Sequence, residues 1–330
     1  MAREDIQVVG LGQACVDYLG RLAFFPHEDQ KTELLEVHRQ CGGPASTAMV
    51  TLARLGVETA FIGSVSDDAF GVQIVEGLNK EKVDFSHLKI TPGFTSQFAF
   101  IAIQKETGAR TIFWHRGSVP HLKPRDVDLS SFSRAKILHL DGLMIEASIE
   151  AARQARKMGM SVVMDAGTMR EGSIKLVSLV DILIASERFA SERFASERFA
   201  SETFVSETFV SETFAEPLVE TNAHEKALKA LHELGPKTVI ITLGPRGSIG
   251  WDGGRTLFQN AFPIKALDTT GAGDVYHGAY IYGLLQKWST SECMRFASAT
   301  AALKCRAIGA RKGIPGLKEV MEFMRQHRET

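Results

Sequence analysis

Residues 268–288 read DTTGAGDVYHGAYIYGLLQKW. The first seven, Asp268-Thr269-Thr270-Gly271-Ala272-Gly273-Asp274, set three small residues directly ahead of a stretch that reads as a helix. A helix that starts this way lets a ligand approach its backbone closely. Its first N–H groups and its dipole then form an anion site. Asp274 falls in the first turn, beside that anion. A carboxylate there can accept a proton from a hydroxyl that attacks a phosphoryl group.

Upstream, strand and helix signals alternate. Strands are expected over residues 137–140, 161–165, 182–185 and 238–243, and helices over 149–158, 173–179 and 223–234. This βαβα order predicts an α/β fold: a mostly parallel sheet with helices on both faces. Nearer the start, a strand over 6–10 ends in Gly10-Leu11-Gly12, and a helix over 45–55 follows Gly42-Gly43-Pro44. A strand over 59–65 and a helix over 70–82 come next. Residues 18–40 carry no helical period. The β-rich runs 97–104 and 110–115 flank Glu106-Thr107-Gly108, a hairpin signal. Segments 18–40 and 95–117 stand outside the alternation. They predict a small second sheet, a lid, on a single domain spanning 1–330.

Composition narrows the function classes. Hydrophobic residues make up 44 % and charged residues 23 %, an ordinary globular balance. Against 38 Lys and Arg stand 39 Asp and Glu, so no global field draws the chain to nucleic acid or an anionic membrane. No run approaches the roughly 18 apolar residues of a membrane span. The opening MAREDIQVVGLGQAC lacks the pattern of a secretory signal. Cys15, Cys41, Cys293 and Cys305 form neither a C-x-x-C pair nor a zinc spacing, so reduced thiols in a cytoplasmic protein are expected.

Residues 186–215 are six pentads: SERFA, SERFA, SERFA, SETFV, SETFV and SETFA. They lack Gly and Pro and are rich in helix formers, so a helical insertion is expected. On a helix, successive Phe residues step by about 140° around the axis and cannot form one buried stripe. Removing five pentads leaves a continuous α/β pattern.

The string DTTGAGD resembles the C-terminal signature of the ribokinase family of carbohydrate kinases, and the resemblance extends over nearly the whole chain outside the pentads. Gly10-Leu11-Gly12 with Asp17 is similar to the family's first strand and sugar-binding Asp. Residues 41–56, CGGPASTAMVTLARLG, resemble its Gly-Gly motif, and Thr242-Leu243-Gly244-Pro245-Arg246-Gly247 resembles its nucleotide-side turn. Residues 301–315, AALKCRAIGARKGIP, resemble the segment that borders adenine and a monovalent-cation site. The resemblance implies a three-layer ribokinase-like fold and transfer of a phosphoryl group from ATP, with Mg²⁺, to a sugar hydroxyl. Asp274 would be the base, and Gly271, Ala272 and Gly273 the anion hole. Asp17, Gly42, Gly43 and Thr47 would face the acceptor. Thr242, Gly244, Gly247, Thr270 and Ala301 would face the nucleotide, and Asp268 a potassium-like cation.

Two positions depart from the family pattern. Thr47 stands where the family usually has a sugar-binding Asn. The G-G-P-A-x-T variant resembles that of sulfofructose kinases. The family's N-x-x-E, tied to Mg²⁺ hydration, is Ser186-Glu187-Arg188-Phe189 here, with Ser for Asn and Phe for Glu, which weakens Glu187 as a candidate for the Mg²⁺ shell. Ketohexokinases depart there too. Arg116, after a strand of the small sheet, could clamp an anionic group on the acceptor. Asp165 and Arg170 follow a central strand, where they could pair structurally or serve a site. His277 is expected to pack or cap, and Phe24, Phe25, Phe98 and Phe100 to form the core of the lid. A sugar or acidic sugar derivative is the first reading of the acceptor. A nucleoside or vitamin-like alcohol is the second, and a protein that assembles through its pentads is a third reading of a different class. A homodimer could form through the lid or the repeat.

Every motif quoted above except Glu187 lies outside the pentads. A variant lacking five of the six should fold and transfer phosphoryl groups with little change in kcat. Loss of turnover in a deletion variant that stays folded and keeps its association state would contradict this.

Overall fold

The structure is a computed structural model, and it describes residues 5–191 and 221–327. A large sheet is built on β1 (Val8–Leu11), β4 (Thr59–Val65), β5 (Leu88–Ile90), β8 (Ile137–Leu140), β9 (Ser161–Ala166), β10 (Ile182–Ser186), β11 (Thr238–Thr242), β12 (Ser248–Trp251) and β13 (Thr256–Gln259). Its nine strands run in the order β13-β12-β11-β10-β9-β8-β1-β4-β5. From β5 to β11 every pairing is parallel, and the β11–β12 and β12–β13 pairings are antiparallel.

The parallel strands are apolar throughout because both faces are covered. Successive residues feed opposite cores: Val8, Val163, Ile184 and Ile240 join one cluster, and Val9, Val162, Leu183 and Ile241 the other. The first core is capped by α1 (Pro44–Arg54), α6 (Ala272–Leu285), α7 (Thr290–Lys304) and α8 (Leu317–Gln326). On the other side lie α3 (Ile145–Lys157), α4 (Ser173–Val177) and α5 (Thr221–Glu233), while α2 (Ala69–Lys80) sends Ile74 and Leu78 into the first core. Helix α6 is buried from Val275 to Gly283, which accounts for an apolar composition without an amphipathic stripe.

The second sheet has four strands, in the order β3-β2-β6-β7: β2 (Cys15–Leu22), β3 (Glu36–Gly42), β6 (Phe98–Gln104) and β7 (Arg110–His115). Leu19, Ala99, Ile101 and Ile103 pack together on it, with Ile308 against them. Every residue of β7 is exposed.

The expected alternation is present, with shifts of a few residues at element ends. The first strand covers Val8–Leu11 in place of 6–10, and α3 begins at Ile145 in place of 149. Residues 18–40, without a helical period, contain most of β2 and β3. Strand β5, the β12–β13 hairpin, α7 and α8 went unread in the sequence. Phe24 and Phe25 are 59 % and 41 % exposed, so they do not belong to the core of the small sheet, whereas Phe98 stacks on His115 and Phe100 tilts against Phe113. Of the pentads, the first is described: Ser186 ends β10, residues 187–191 are helical, and Phe189 and Ala190 are fully buried in the second core. The helix expected for the remaining pentads lies outside the described residues.

Candidate active site

The carboxyl ends of the parallel strands and the N-terminus of α6 converge on one side of the large sheet, where ligands bind in open α/β sheets. Gly271 caps α6 at φ 75°, and a Cβ there would stand 2.8 Å from the Cα of Ala310, so a side chain is excluded by both conformation and space. Gly273 differs. A Cβ on it would meet nothing within 4 Å, so the protein's own packing leaves this position open. The Ala272 N–H donates to the Thr269 carbonyl at 3.1 Å. Those of Gly273 and Asp274, in the first turn, have no partner among the described residues.

Asp268, fully buried, fixes this turn. Its Oδ1 accepts from the Thr270 N–H (2.8 Å) and hydroxyl (2.6 Å), and its Oδ2 accepts from the Gly309 N–H at 2.6 Å. The Lys304 ammonium donates to the Asp268 carbonyl at 2.9 Å. From the small sheet, Arg110 donates to the Thr269 hydroxyl at 2.8 Å, and the hairpin tip at Gly108 lies against the backbone of Ala266 and Leu267.

Asp274 stands amid charge. Enclosure by protein raises its pKa, while His277, Arg110, Lys304 and Arg311 pull it down, and the balance is a raised value. Asp17, on β2, is pushed up to about 6 by burial; the Cys15 thiol, which donates to it at 3.0 Å, and Arg311 oppose that, and Asp274 adds to it. Asp141 is also raised to about 6 by burial, although the N–H groups of Gln13 (2.6 Å) and Leu143 (3.0 Å) donate to it. Burial raises Asp165 as well, with Asp274 adding to the effect. Its partner is His277, at 3.5 Å, rather than Arg170. The Nδ1 of His277 also meets the Gly273 carbonyl at 2.8 Å, one helical turn back, and burial lowers its pKa.

Across from this turn, Gly42 and Gly43, expected to face the acceptor, lead from β3 into α1. Thr47 is fully buried, and Arg311 donates through Nε to its hydroxyl at 3.4 Å and through Nη2 to the Gly42 carbonyl (3.1 Å) and the Ser46 hydroxyl (2.8 Å). Arg116 lines a small cavity with Gln13, Ser64, Gln97 and His121. Burial lowers the pKa of His121, and the charges of Arg116 and Arg170 lower it further. On the other side a cleft of about 1290 Å³ is lined by Thr242, Gly244, Gly247, Gly273, Tyr276 and Ala301, among others. Thr270 sits below the turn, bound to Asp268. Glu187 also borders the cleft. Its carboxylate is taken by Arg246 at 2.5 Å and His224 at 3.0 Å. Phe189, at the position of the family's Glu, is in the core.

The profile of "pfkB family carbohydrate kinase" matches residues 5–316. The chain belongs to this family. Like its pfkB relatives it is a kinase. It is 28 % identical over 325 residues to the ribokinase of Haemophilus influenzae, covering 95 % of this chain and 97 % of that one. It is 27 % identical over 350 residues to the 5-dehydro-2-deoxygluconokinase of Clostridium perfringens, covering 99 % and 95 %. Among solved structures, Arabidopsis thaliana ribokinase complexed with ribose and ATP aligns at 25 % identity and a TM-score of 0.78, covering 97 % of this chain and 99 % of that one.

Arg110, Asp141, Lys304 and Arg311 went unread as site residues. The last two lie inside the AALKCRAIGARKGIP segment, so that motif could have pointed to them. Arg110 and Asp141 carry no local signal.

The two glycines of the turn should separate folding from chemistry. Gly271→Ala should destabilise the protein by about 1–3 kcal/mol through strain and overpacking. Gly273→Ala should leave the melting temperature nearly unchanged and lower kcat/KM for the nucleotide by about tenfold or more, if the open space there receives a phosphate. Thermal melts and steady-state kinetics on both variants check this.

Proposed function

We propose that this pfkB-family kinase transfers the γ-phosphoryl group of ATP to a hydroxyl of a sugar or sugar derivative, with Asp274 as the base. One observation carries the reading: a carboxylate of raised pKa and two N–H groups without a partner among the described residues share the first turn of α6. The N–H groups of Gly273 and Asp274 stabilise charge on the transferring phosphoryl group. Asp274 orients the acceptor hydroxyl and takes its proton. Asp17, at the other side of this carboxylate field, holds the acceptor with Gly42 and Gly43. The nucleotide lies in the cleft along Thr242, Gly244, Gly247 and Ala301. The small sheet acts as a lid: Arg110 and the hairpin tip reach over to the turn and help exclude water.

Among the described residues no three His, Cys, Asp or Glu side chains gather into a metal cage, and Glu187 is engaged by Arg246 and His224. These residues suit a Mg²⁺ carried on the phosphates of ATP, where it would neutralise their charge.

The acceptor is an anionic sugar derivative. Arg116 and Arg170 both bear on His121 beside the small cavity, so positive charge concentrates there. The small sheet exposes Phe113 and Val37 on one face and Ile112 and Trp114 on the other, which supports a homodimer through that sheet. Sedimentation of the wild type against Trp114→Glu checks this; a monomeric wild type overturns it. Among the described residues no helix is long and apolar enough to cross a membrane.

Turnover on neutral, phosphorylated, sulfonated and carboxylated sugars, with nucleosides alongside, tests the main reading. Asp274→Asn should keep the fold and bind ATP while losing roughly 10²–10⁴ in kcat. Because the base works ionised and its pKa is raised, the acid limb of kcat should begin at a higher pH than an ordinary carboxylate gives. An anionic sugar should exceed its neutral parent in kcat/KM, and Arg116→Ala should narrow that preference by about 1.5–3 kcal/mol. Near wild-type turnover in Asp274→Asn removes Asp274 from its role. Preference for a neutral sugar or a nucleoside overturns the acceptor class.

A further inference from the structure

Lys304 is fully buried at the last position of α7, an unusual place for an ammonium. Lysine in a last helical turn ordinarily reaches solvent and favours the helix dipole. This one donates instead to the Asp268 carbonyl at 2.9 Å, directly beneath the turn that starts α6. Asp268 is itself fully buried, and every donor to its carboxylate is neutral: the N–H and hydroxyl of Thr270 and the N–H of Gly309. A buried carboxylate needs a compensating charge close by. Lys304 supplies it.

A potassium-like ion beside Asp268 would take the same oxygens as ligands, since hard cations bind carbonyl and carboxylate oxygen. Both carboxylate oxygens already accept strong hydrogen bonds, and the carbonyl already accepts from an ammonium. The residues present do not fit such an ion.

We propose that the Lys304 ammonium is a built-in monovalent cation that fastens the Asp268 carbonyl under the phosphate-binding turn and makes phosphoryl transfer independent of K⁺ or NH₄⁺. It is a positioning residue. It acts through Asp268, which holds Thr270 and Gly309 and thereby sets the direction of the Gly273 and Asp274 N–H groups. The proposal rests on the kinase reading above.

The test compares wild type, Lys304→Ala and Lys304→Met in chloride salts of Na⁺, K⁺, NH₄⁺ and tetramethylammonium at constant ionic strength. Melting temperature is read without substrates, and kcat and KM with them. Wild type should show one melting temperature and one kcat in all four salts. Lys304→Ala, which removes the charge and opens space, should melt lower. K⁺ or NH₄⁺ should raise that melting temperature saturably, and tetramethylammonium should not. Its kcat should fall by about 10–100-fold, with KM for the sugar little changed, and K⁺ should restore part of the loss. Lys304→Met fills the space with an uncharged chain, so no salt should rescue it. A saturable rise in wild-type melting temperature or kcat with K⁺ overturns the proposal, as does a folded Lys304→Met with wild-type kcat. If wild type phosphorylates no acceptor at all, the kinase reading fails on its own, and the substrate-free melts still decide the question of the cation.

Discussion

The Asp268 carboxylate is the fastening on which the site depends. It ties Thr270, two residues on, to Gly309, far along the chain, and both bonds are sealed from water. Buried hydrogen bonds to a charged acceptor are strong, and breaking one leaves a desolvated partner behind. The start of α6 is therefore held in one direction by the segment that follows α7. Those two helices pack side by side against the same face of the large sheet, so the aim of the turn is part of the core packing.

The arrangement concentrates ionisable groups. Asp17, Asp141, Asp165 and Asp274 all have raised pKa values, with burial as the leading cause in each. Arg311 and Lys304 offset this from behind the site, and Arg110 does so from the small sheet. Carboxyl groups crowd around Asp274, while Arg110, Lys304 and Arg311 bring positive charge to the turn of α6. A transferring phosphoryl group would lie where the two fields meet, which favours charge that moves from the acceptor oxygen toward the phosphate.

Much of this was legible in the sequence, for local reasons. Strands buried on both faces betray themselves as short apolar runs, and 137–140 was read to the residue. The string from Asp268 to Asp274 spells its own turn, since its small residues, cap and acid are neighbours in the chain. What stayed hidden was set by long-range contact. Lys304 ends α7 like any cationic cap, and only the fold brings it under Asp268. Arg311 clamps Gly42, Ser46 and Thr47 from more than 260 residues away. The β12–β13 hairpin escaped because its strands, SIGW and TLFQ, mix polar residues and glycine with apolar ones and form no apolar run. Phe24 and Phe25 misled because two adjacent aromatic residues look like core and stand in solvent here.

The bond from Arg110 to Thr269 makes one strand of the small sheet a member of both halves of the site. The same sheet carries Asp17 on β2, so a ligand that orders the sheet also bears on the turn of α6. Affinities linked through a shared element are reciprocal. Whatever factor one ligand imposes on the binding of the other is returned in full, because the free energy around the cycle must close. Binding order can then vary with the concentrations of the two ligands without changing the energy of the ternary complex.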